Sequence, residues 1–125
     1  MIAEQIADRN KVAEVVSKAL LRAADDLGLN GCYLAKIVGL STATISRVRR
    51  GTCQISPETK PYEMAMMVIR IHQALAKIMS DDKAAMRSWM SSENQELKAV
   101  PAEKIKDIRG LVSVLVYTEM RASNV

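Results

Sequence analysis

Three glycines, Gly28, Gly39 and Gly51, limit how the first half of this chain can fold. Each follows a short segment whose apolar residues recur at helical spacing, and glycine readily adopts the left-handed conformation that ends a helix. The predicted helices cover residues 11–27, 31–38 and 41–50. Because only a few residues join them, the sequence predicts a compact three-helix unit.

The second and third predicted helices have the spacing of a helix-turn-helix. Ala35 is small enough to lie where two steeply crossing helices touch, and Gly39, four residues later, tolerates the positive φ of a tight turn. Ile45 and Val48 would then point back from the third helix onto the second. The segment LAKIVGLSTATISRVRRG, which contains these residues, resembles Xre/Cro-type helix-turn-helix proteins. That resemblance implies DNA binding.

The charge distribution favours the same function. Between Asp26 and Glu58 the chain has no acidic residue but four basic ones. Residues 1–62 contain nine basic and six acidic residues, whereas residues 63–125 contain nine and eight. Because DNA presents a dense row of phosphates, the first half is the candidate for binding it. A helical hairpin with a solvated basic face is the alternative interpretation.

The outward positions of the third helix supply the predicted DNA contacts. In docked helix-turn-helix proteins, the start of the second helix of the motif meets base edges, while helix ends meet phosphates. The predicted base-edge contacts are Thr42, Ala43, Ser46 and Arg47, and the predicted phosphate contacts are Lys36, Arg49 and Arg50. Ser41, as the N-cap, and Thr44 complete the predicted DNA-binding set.

The second half also predicts helices, and with five glycines and three prolines in the whole chain we expect an all-α fold. A helix over residues 61–79 is apolar on two adjacent stripes, as in a central helix or one that binds a partner subunit. The next helix opens at Asp81 and Asp82, whose charges favour a helix start. We expect Trp89 in the core, and the cluster of Met64, Met66 and Met67 in the core or a dimer interface.

Two shorter patterns follow. Pro101 opens a short helix that we expect to end at Gly110, with Ile105 and Ile108 facing inward. A final helix over residues 111–121 would carry Val112, Leu115, Val116, Glu119 and Met120 along its length. The Val, Tyr and Thr residues there would also tolerate a strand.

A set of residues in the second half recurs in a known family: Trp89, Met90, Asn94, Leu97, Pro101, Ile105, Gly110, Val114 and Leu115. In this order and spacing, the segment ALAKIMSDDKAAMRSWMSSENQELKAVPAEKIKDIRGLVSVLVYTEM resembles the toxin-binding domain of Xre/MbcA/ParS antitoxins. Family members place this domain behind an Xre-like helix-turn-helix, as here. They often carry a further glycine near the end of the last helix, where this chain has the sequence RASNV.

The resemblance implies an N-terminal helix-turn-helix unit followed by a small helical toxin-binding and dimerisation domain. The implied parts are residues 1–56 for DNA binding, 57–79 for connection and dimerisation, and 80–125 for toxin binding. The implied function is that of an antitoxin in a bacterial type II toxin–antitoxin system. Such a homodimer covers the active site of a cognate protein toxin, commonly an RES-domain enzyme that consumes NAD, and represses the shared operon on double-stranded operator DNA.

An inhibitor of this kind works by steric exclusion, with a few apolar or arginine anchors supplying most of its binding energy. The candidate toxin-binding residues are Lys98, Lys104, Arg109, Met120, Arg121, Ser123, Asn124 and Val125. The first three can pair with toxin carboxylates. The alternative function is that of a stand-alone Xre/Cro-type transcriptional regulator whose C-terminal half only dimerises. A third interpretation is a partition- or adaptor-like protein with an inactive helix-turn-helix.

Other classes of protein find little support. Two cysteines are too few for a disulfide scaffold, and no leader or membrane-length apolar run is present, so we expect a cytoplasmic protein with reduced thiols. His72, the sole histidine, lies on an apolar stripe and is expected in the core or an interface. The spacing of metal ligands, a catalytic triad or a phosphate-binding glycine loop is not found. We therefore expect no enzymatic activity, cofactor or metal.

Overall fold

The computed structural model describes residues 2–125 and shows the all-α fold that the sequence predicts. Over this range the chain forms seven α-helices, and its one β-type pairing is an isolated bridge between Asn94 and Ala99. The helices are α1 (Ile2–Leu27), α2 (Gly31–Val38), α3 (Thr42–Arg50), α4 (Lys60–Ile78), α5 (Lys83–Ser91), α6 (Pro101–Lys104) and α7 (Ile108–Ala122). None of these helices is both long and apolar enough to cross a membrane.

Helix α4 is the centre of the fold. Thr59 caps its first turn by accepting the Tyr62 N–H, and Pro61 occupies a position where its missing N–H costs nothing. The helix packs between α1 and α7 and also contacts α2 and α5. Both of its apolar stripes contain buried residues, Val68 and Leu75 on one and Ala65 and Ile69 on the other. One hydrophobic core therefore runs through residues of every helix except the short α6.

Helix α1 is longer than predicted, since it begins at Ile2 rather than near residue 11. Val12 and Val15, which are among the apolar residues at helical spacing that predict this helix, are exposed. The buried side of α1 passes through Ala13, Val16 and Leu20 instead. At about 100° per residue, Ala13, Val16 and Leu20 lie on one side of the helix, and Val12 and Val15 lie beside it, towards solvent.

The joint between α6 and α7 differs from the prediction. Gly110 does not end a helix but lies buried in the first turn of α7, which begins at Ile108. Asp107 caps this turn, and its carboxylate accepts the Gly110 N–H at 2.8 Å. A Cβ on Gly110 would lie 1.7 Å from the carbonyl oxygen of Lys104. The glycine is needed because two backbone segments approach closely there.

The buried side of α7 also differs from the expected one. Ile108, which we expected to face inward, is exposed, and of the residues predicted along the helix Val112, Val116 and Met120 are exposed whereas Leu115 is buried. The core is formed by Leu111, Val114, Leu115, Thr118 and Ala122. Helix α7 carries two apolar ridges, and packing on α4 selects the one that the sequence pattern did not favour.

Candidate nucleic-acid interface

The turn between α2 and α3 has the predicted geometry. Asn30 caps α2 by accepting the Tyr33 N–H at 2.9 Å. At the other end, Gly39 adopts a φ of 77°, and the N–H groups of Gly39 and Leu40 both donate to the Ala35 carbonyl at 2.9 and 3.0 Å. Two donors on one carbonyl close the helix sharply, which brings α3 back across α2.

Helix α3 is fixed at both ends by its own sequence. The Ser41 hydroxyl accepts the Thr44 N–H at 3.0 Å, and Gly51 ends the helix with a φ of 80°. Ile45 and Val48 are buried and belong to the same core as Ala35. The structure therefore shows the positive φ predicted for Gly39 and the burial predicted for Ile45 and Val48, with Ala35 buried in the same core.

The opposite side of α3 is exposed and carries most of the predicted DNA-binding residues. The exposed members of that set are Lys36, Ser41, Thr42, Ala43, Ser46, Arg47, Arg49 and Arg50. Thr44 is partly buried and acts within the helix start. Its hydroxyl lies 2.8 Å from the Ser41 hydroxyl and accepts a hydrogen bond from Arg47 Nη2 at 3.1 Å. The cap of α3 thus also orients the guanidinium of Arg47.

The three arginines of α3 are not equivalent. Arg49 forms an ion pair with Asp25 at the end of α1, with Nη2 and Oδ1 3.3 Å apart. In the described part of the chain, Arg47 and Arg50 have no acidic partner within ion-pair distance. The guanidinium groups of Arg47 and Arg50 therefore remain available for an external anion. To bind a phosphate, Arg49 would have to break its ion pair with Asp25 or contact both anions at once.

A contact that the sequence did not indicate joins the helix-turn-helix to α6. The Tyr33 hydroxyl donates to the Glu103 carboxylate, and Lys106 Nζ lies 2.7 Å from Glu103 Oε1 and 4.2 Å from the centre of the Tyr33 ring. The hydrogen bond from Lys106 lowers the pKa of Glu103, and the bond to Glu103 raises the pKa of Tyr33. Since the two residues lie 70 positions apart, no local pattern could reveal this pair.

The end of α1 forms a second junction. Arg87 of α5 donates two hydrogen bonds to the Asp25 carbonyl, at 2.9 and 3.3 Å, while the Asp25 carboxylate receives Arg49. Asp26, the next residue, lies 2.9 Å from His72 Nε2 and 3.5 Å from Lys83 Nζ. His72 is therefore a half-buried partner of a carboxylate at the α1–α4 contact. Two adjacent residues at the end of α1, Asp25 and Asp26, thus contact side chains of α3, α4 and α5.

The residues of the second half that carry the family resemblance are largely structural. Met90, Pro101, Ile105 and Val114 are buried, and Asn94 holds its loop by accepting the Leu97 N–H at 2.9 Å. Trp89, expected in the core, is half-buried and stacks on Tyr117 with ring centres 6.2 Å apart. These residues specify the shape of the C-terminal half, so contacts with any partner would come from the side chains around them.

The candidate toxin-binding residues do not all have free side chains. Arg121 pairs with Glu96 and lies over the Tyr117 ring, with 5.0 Å between the guanidinium carbon and the ring centre. Ser123 and Asn124 donate to the Met120 carbonyl and so close the end of α7. Lys104 is half-buried at the α6–α7 joint. The remaining candidates are exposed, namely Lys98, Arg109, Met120 and Val125.

Comparison of this chain with protein families and with curated protein sequences finds no match. Within residues 2–125, no three side chains of the His, Cys, Asp or Glu type come close enough to share a metal ion.

Proposed function

We propose that this protein binds operator DNA through α3 and is the antitoxin of a type II toxin–antitoxin system, repressing its own operon. The DNA-binding part of this proposal rests on the arrangement of buried and exposed side chains of α3. Ile45 and Val48 fix the helix on α2, while its opposite side presents hydroxyl groups near its start and unpaired arginines towards its end. A helix of this kind fits the major groove, with its start towards the bases and its end towards the backbone.

In the proposed complex the residues have distinct roles. Arg47, which Thr44 already orients, bonds both acceptors of a guanine, a contact worth about 1–3 kcal/mol of discrimination between bases. Thr42, Ala43 and Ser46 lie on neighbouring base edges, and Arg50 and Lys36 bind phosphates. A homodimer would present two such helices to two half-sites about one helical turn apart.

The antitoxin part is supported by the family resemblance of the second half and by the scaffold that its residues form. Blocking an enzyme cleft requires shape and a few anchors but no reactive group. The exposed Met120, Val125, Lys98 and Arg109 are the proposed contacts with the toxin, which we expect to be an RES-type enzyme that consumes NAD. A stand-alone regulator with the same α3 is the alternative.

The DNA-binding part is tested with the DNA upstream of the protein's own reading frame and a random-sequence competitor. We expect Arg47→Ala to weaken binding to the upstream DNA and to reduce its preference over the competitor. Arg50→Ala should weaken binding to both DNAs and reduce the salt dependence by about one ion, because a phosphate contact is lost. Arg22→Ala, an exposed arginine on α1, is the matched control and should change neither property.

The result that contradicts this part is an Arg47→Ala protein with unchanged affinity and preference. The antitoxin part is tested separately, by expressing the neighbouring reading frame alone and together with this chain. We expect toxicity that this chain relieves, and equal relief by the Arg47→Ala, Arg50→Ala double variant. If the neighbouring frame is not toxic, or is not neutralised, the antitoxin part is wrong and the stand-alone regulator replaces it.

A further inference from the structure

Asp25 is an acidic residue at an unfavourable place in its helix. It lies in the last turn of α1, which has no basic residue of its own, and the C-terminal end of a helix carries partial negative charge. The neighbouring Asp26 is half-buried and is compensated by His72 and Lys83. Asp25 is exposed, and the local structure of α1 gives no reason for an acid there. The explanation for this residue therefore lies in its contacts with other helices.

The backbone of Asp25 is fixed by a helix of the second half. Besides the two hydrogen bonds from Arg87 of α5, its carbonyl oxygen accepts the Gly28 N–H at 3.3 Å. The side chain of Arg87 passes close to Gly28, where an added Cβ would lie 3.2 Å from Arg87 Cγ. Moving Asp25 away from α3 would therefore break the hydrogen bonds that join α1 to α5.

The carboxylate of Asp25 holds Arg49 of α3 through two long hydrogen bonds. Arg49 Nη1 lies 3.4 Å from Asp25 Oδ2, and Arg49 Nη2 lies 3.3 Å from Asp25 Oδ1. Bonds between charged groups are commonly about 2.7–2.9 Å long, so this pair has the bidentate arrangement without its full strength. The two side chains are 45% and 57% exposed, and exposed ion pairs are weak because water screens them. A phosphate group can therefore compete with Asp25 for Arg49.

Arg49 shares one side of α3 with two of the proposed base contacts. At about 100° per residue, Thr42, Ser46 and Arg49 lie within about 60° of one another around the helix. With Thr42 and Ser46 on base edges, Arg49 lies at the end of the helix, where helix-turn-helix proteins meet the phosphate backbone. DNA bound in this way has a phosphate close to the pair that Arg49 forms with Asp25.

We propose that Asp25 lowers the affinity of α3 for DNA by competing with the phosphate backbone for Arg49. This inference rests on the proposed binding of DNA through α3 and adds a residue that limits its strength. Arg47 and Arg50 have no acidic partner to give up, whereas Arg49 gains a phosphate only as it loses Asp25. Because phosphate contacts carry no sequence information, the effect applies to operator and random DNA alike.

The first test measures the affinity of the full-length protein for the upstream DNA and for random-sequence DNA over a range of salt concentrations. Asp25→Asn keeps the shape of the side chain and removes its charge. We expect it to tighten binding to both DNAs about 2–5-fold near 0.15 M salt, as typical of one exposed ion pair, and to raise the salt dependence by about one ion. The matched control Asp8→Asn removes the same charge from an exposed aspartate about 25 Å away along α1 and should change neither property.

The second test shows whether Asp25 acts through Arg49 or only through its negative charge. Arg49→Gln should weaken DNA binding at least about 2-fold more in the Asp25→Asn background than in the wild type, because only there is Arg49 wholly available to a phosphate. Thermal unfolding shows whether each variant is folded, and Asp25→Ala replaces Asp25→Asn if the latter unfolds early.

Three results overturn the inference while the wild type binds DNA. The first is a folded Asp25 variant whose affinity is unchanged or lower, and the second is an equal cost of Arg49→Gln in both backgrounds. The third is an Asp8→Asn protein that binds as tightly as Asp25→Asn, since the effect would then be one of net charge. A wild type that binds neither DNA refutes the proposed function itself, and this inference with it.

Discussion

Replacing Gly110 with alanine should destabilise the protein far more than replacing a glycine that has free space around it. The added Cβ would lie 1.7 Å from the Lys104 carbonyl oxygen and 2.6 Å from its carbon, whereas real Cβ contacts essentially never fall below 3.0 Å. The obstacle is backbone and cannot rotate away. To relieve the overlap, α6 and α7 must separate by about 1 Å or more, which pulls the buried Ile105 and Leu111 from their contacts.

The expected cost follows from these distances. Forcing extra atoms into a packed site costs about 1–3 kcal/mol, and a clash with backbone lies at the upper end of that range. Alanine regains about 0.5–1 kcal/mol because it loses less conformational entropy than glycine when a helix forms. The net loss is about 2 kcal/mol in the free energy of unfolding. For a chain of this length that lowers the Tm by roughly 6–10 °C.

The assay is thermal unfolding followed by circular dichroism, with two other glycines as references. Gly31 begins α2 with nothing within 4 Å of an added Cβ, so Gly31→Ala should be neutral or slightly stabilising. Gly39 also has free space but a φ of 77°, so Gly39→Ala should cost about 1 kcal/mol through backbone strain alone. If Gly110→Ala melts within about 2 °C of Gly31→Ala, the close approach of α6 and α7 is not what requires glycine.

Three further predictions concern contacts that hold the helices in place. Ser17→Ala removes the buried hydroxyl that accepts the Ile55 N–H at 3.0 Å, and the unpaired donor should cost about 1–3 kcal/mol in denaturant unfolding. Ser41→Ala removes the cap of α3 and should cost about 1 kcal/mol while weakening DNA binding; unchanged binding would show that α3 keeps its start without the cap. The hydrogen bond from Lys106 lowers the pKa of Glu103. The contribution of this bond to the free energy of unfolding should therefore be complete above the ordinary glutamate pKa and disappear as the pH falls through the lowered pKa. The denaturant midpoints of wild type and Glu103→Gln should therefore differ at neutral pH and converge in acid, and a constant difference would contradict this explanation.

The helix-turn-helix could be predicted from the sequence because its determinants are local. Asn30 and Ser41 cap α2 and α3 through hydrogen bonds to residues three positions later. At Gly39, α2 ends through hydrogen bonds to Ala35 from residues four and five positions later. Ile45 and Val48 need only the helical repeat to lie on one side of α3. Such interactions depend on neighbours along the chain, so the residue pattern determined the bounds of α2 and α3 and the exposed basic side of α3.

The tertiary structure decided features that depend on distant partners. The sequence offers two apolar ridges on α7, and only packing against α4 determines that Val114 and Thr118 are buried while Val112 and Val116 remain exposed. The pairing of Arg49 with Asp25 also depends on the tertiary structure. Of the three arginines that the sequence places on α3, only Arg47 and Arg50 therefore remain without an acidic partner in the described chain.

Gly110 shows the difference most clearly. Read along the chain, a glycine after an apolar run predicts the end of a helix, because glycine favours the left-handed conformation. In the folded protein it lies inside α7, where the Lys104 carbonyl leaves no room for a side chain. The sequence alone indicated a helical protein with one basic helix face, and it marked position 110 as a place where glycine has a structural role. The packing of α6 against α7 decided the reason, since steric exclusion between segments appears only when both are placed in space.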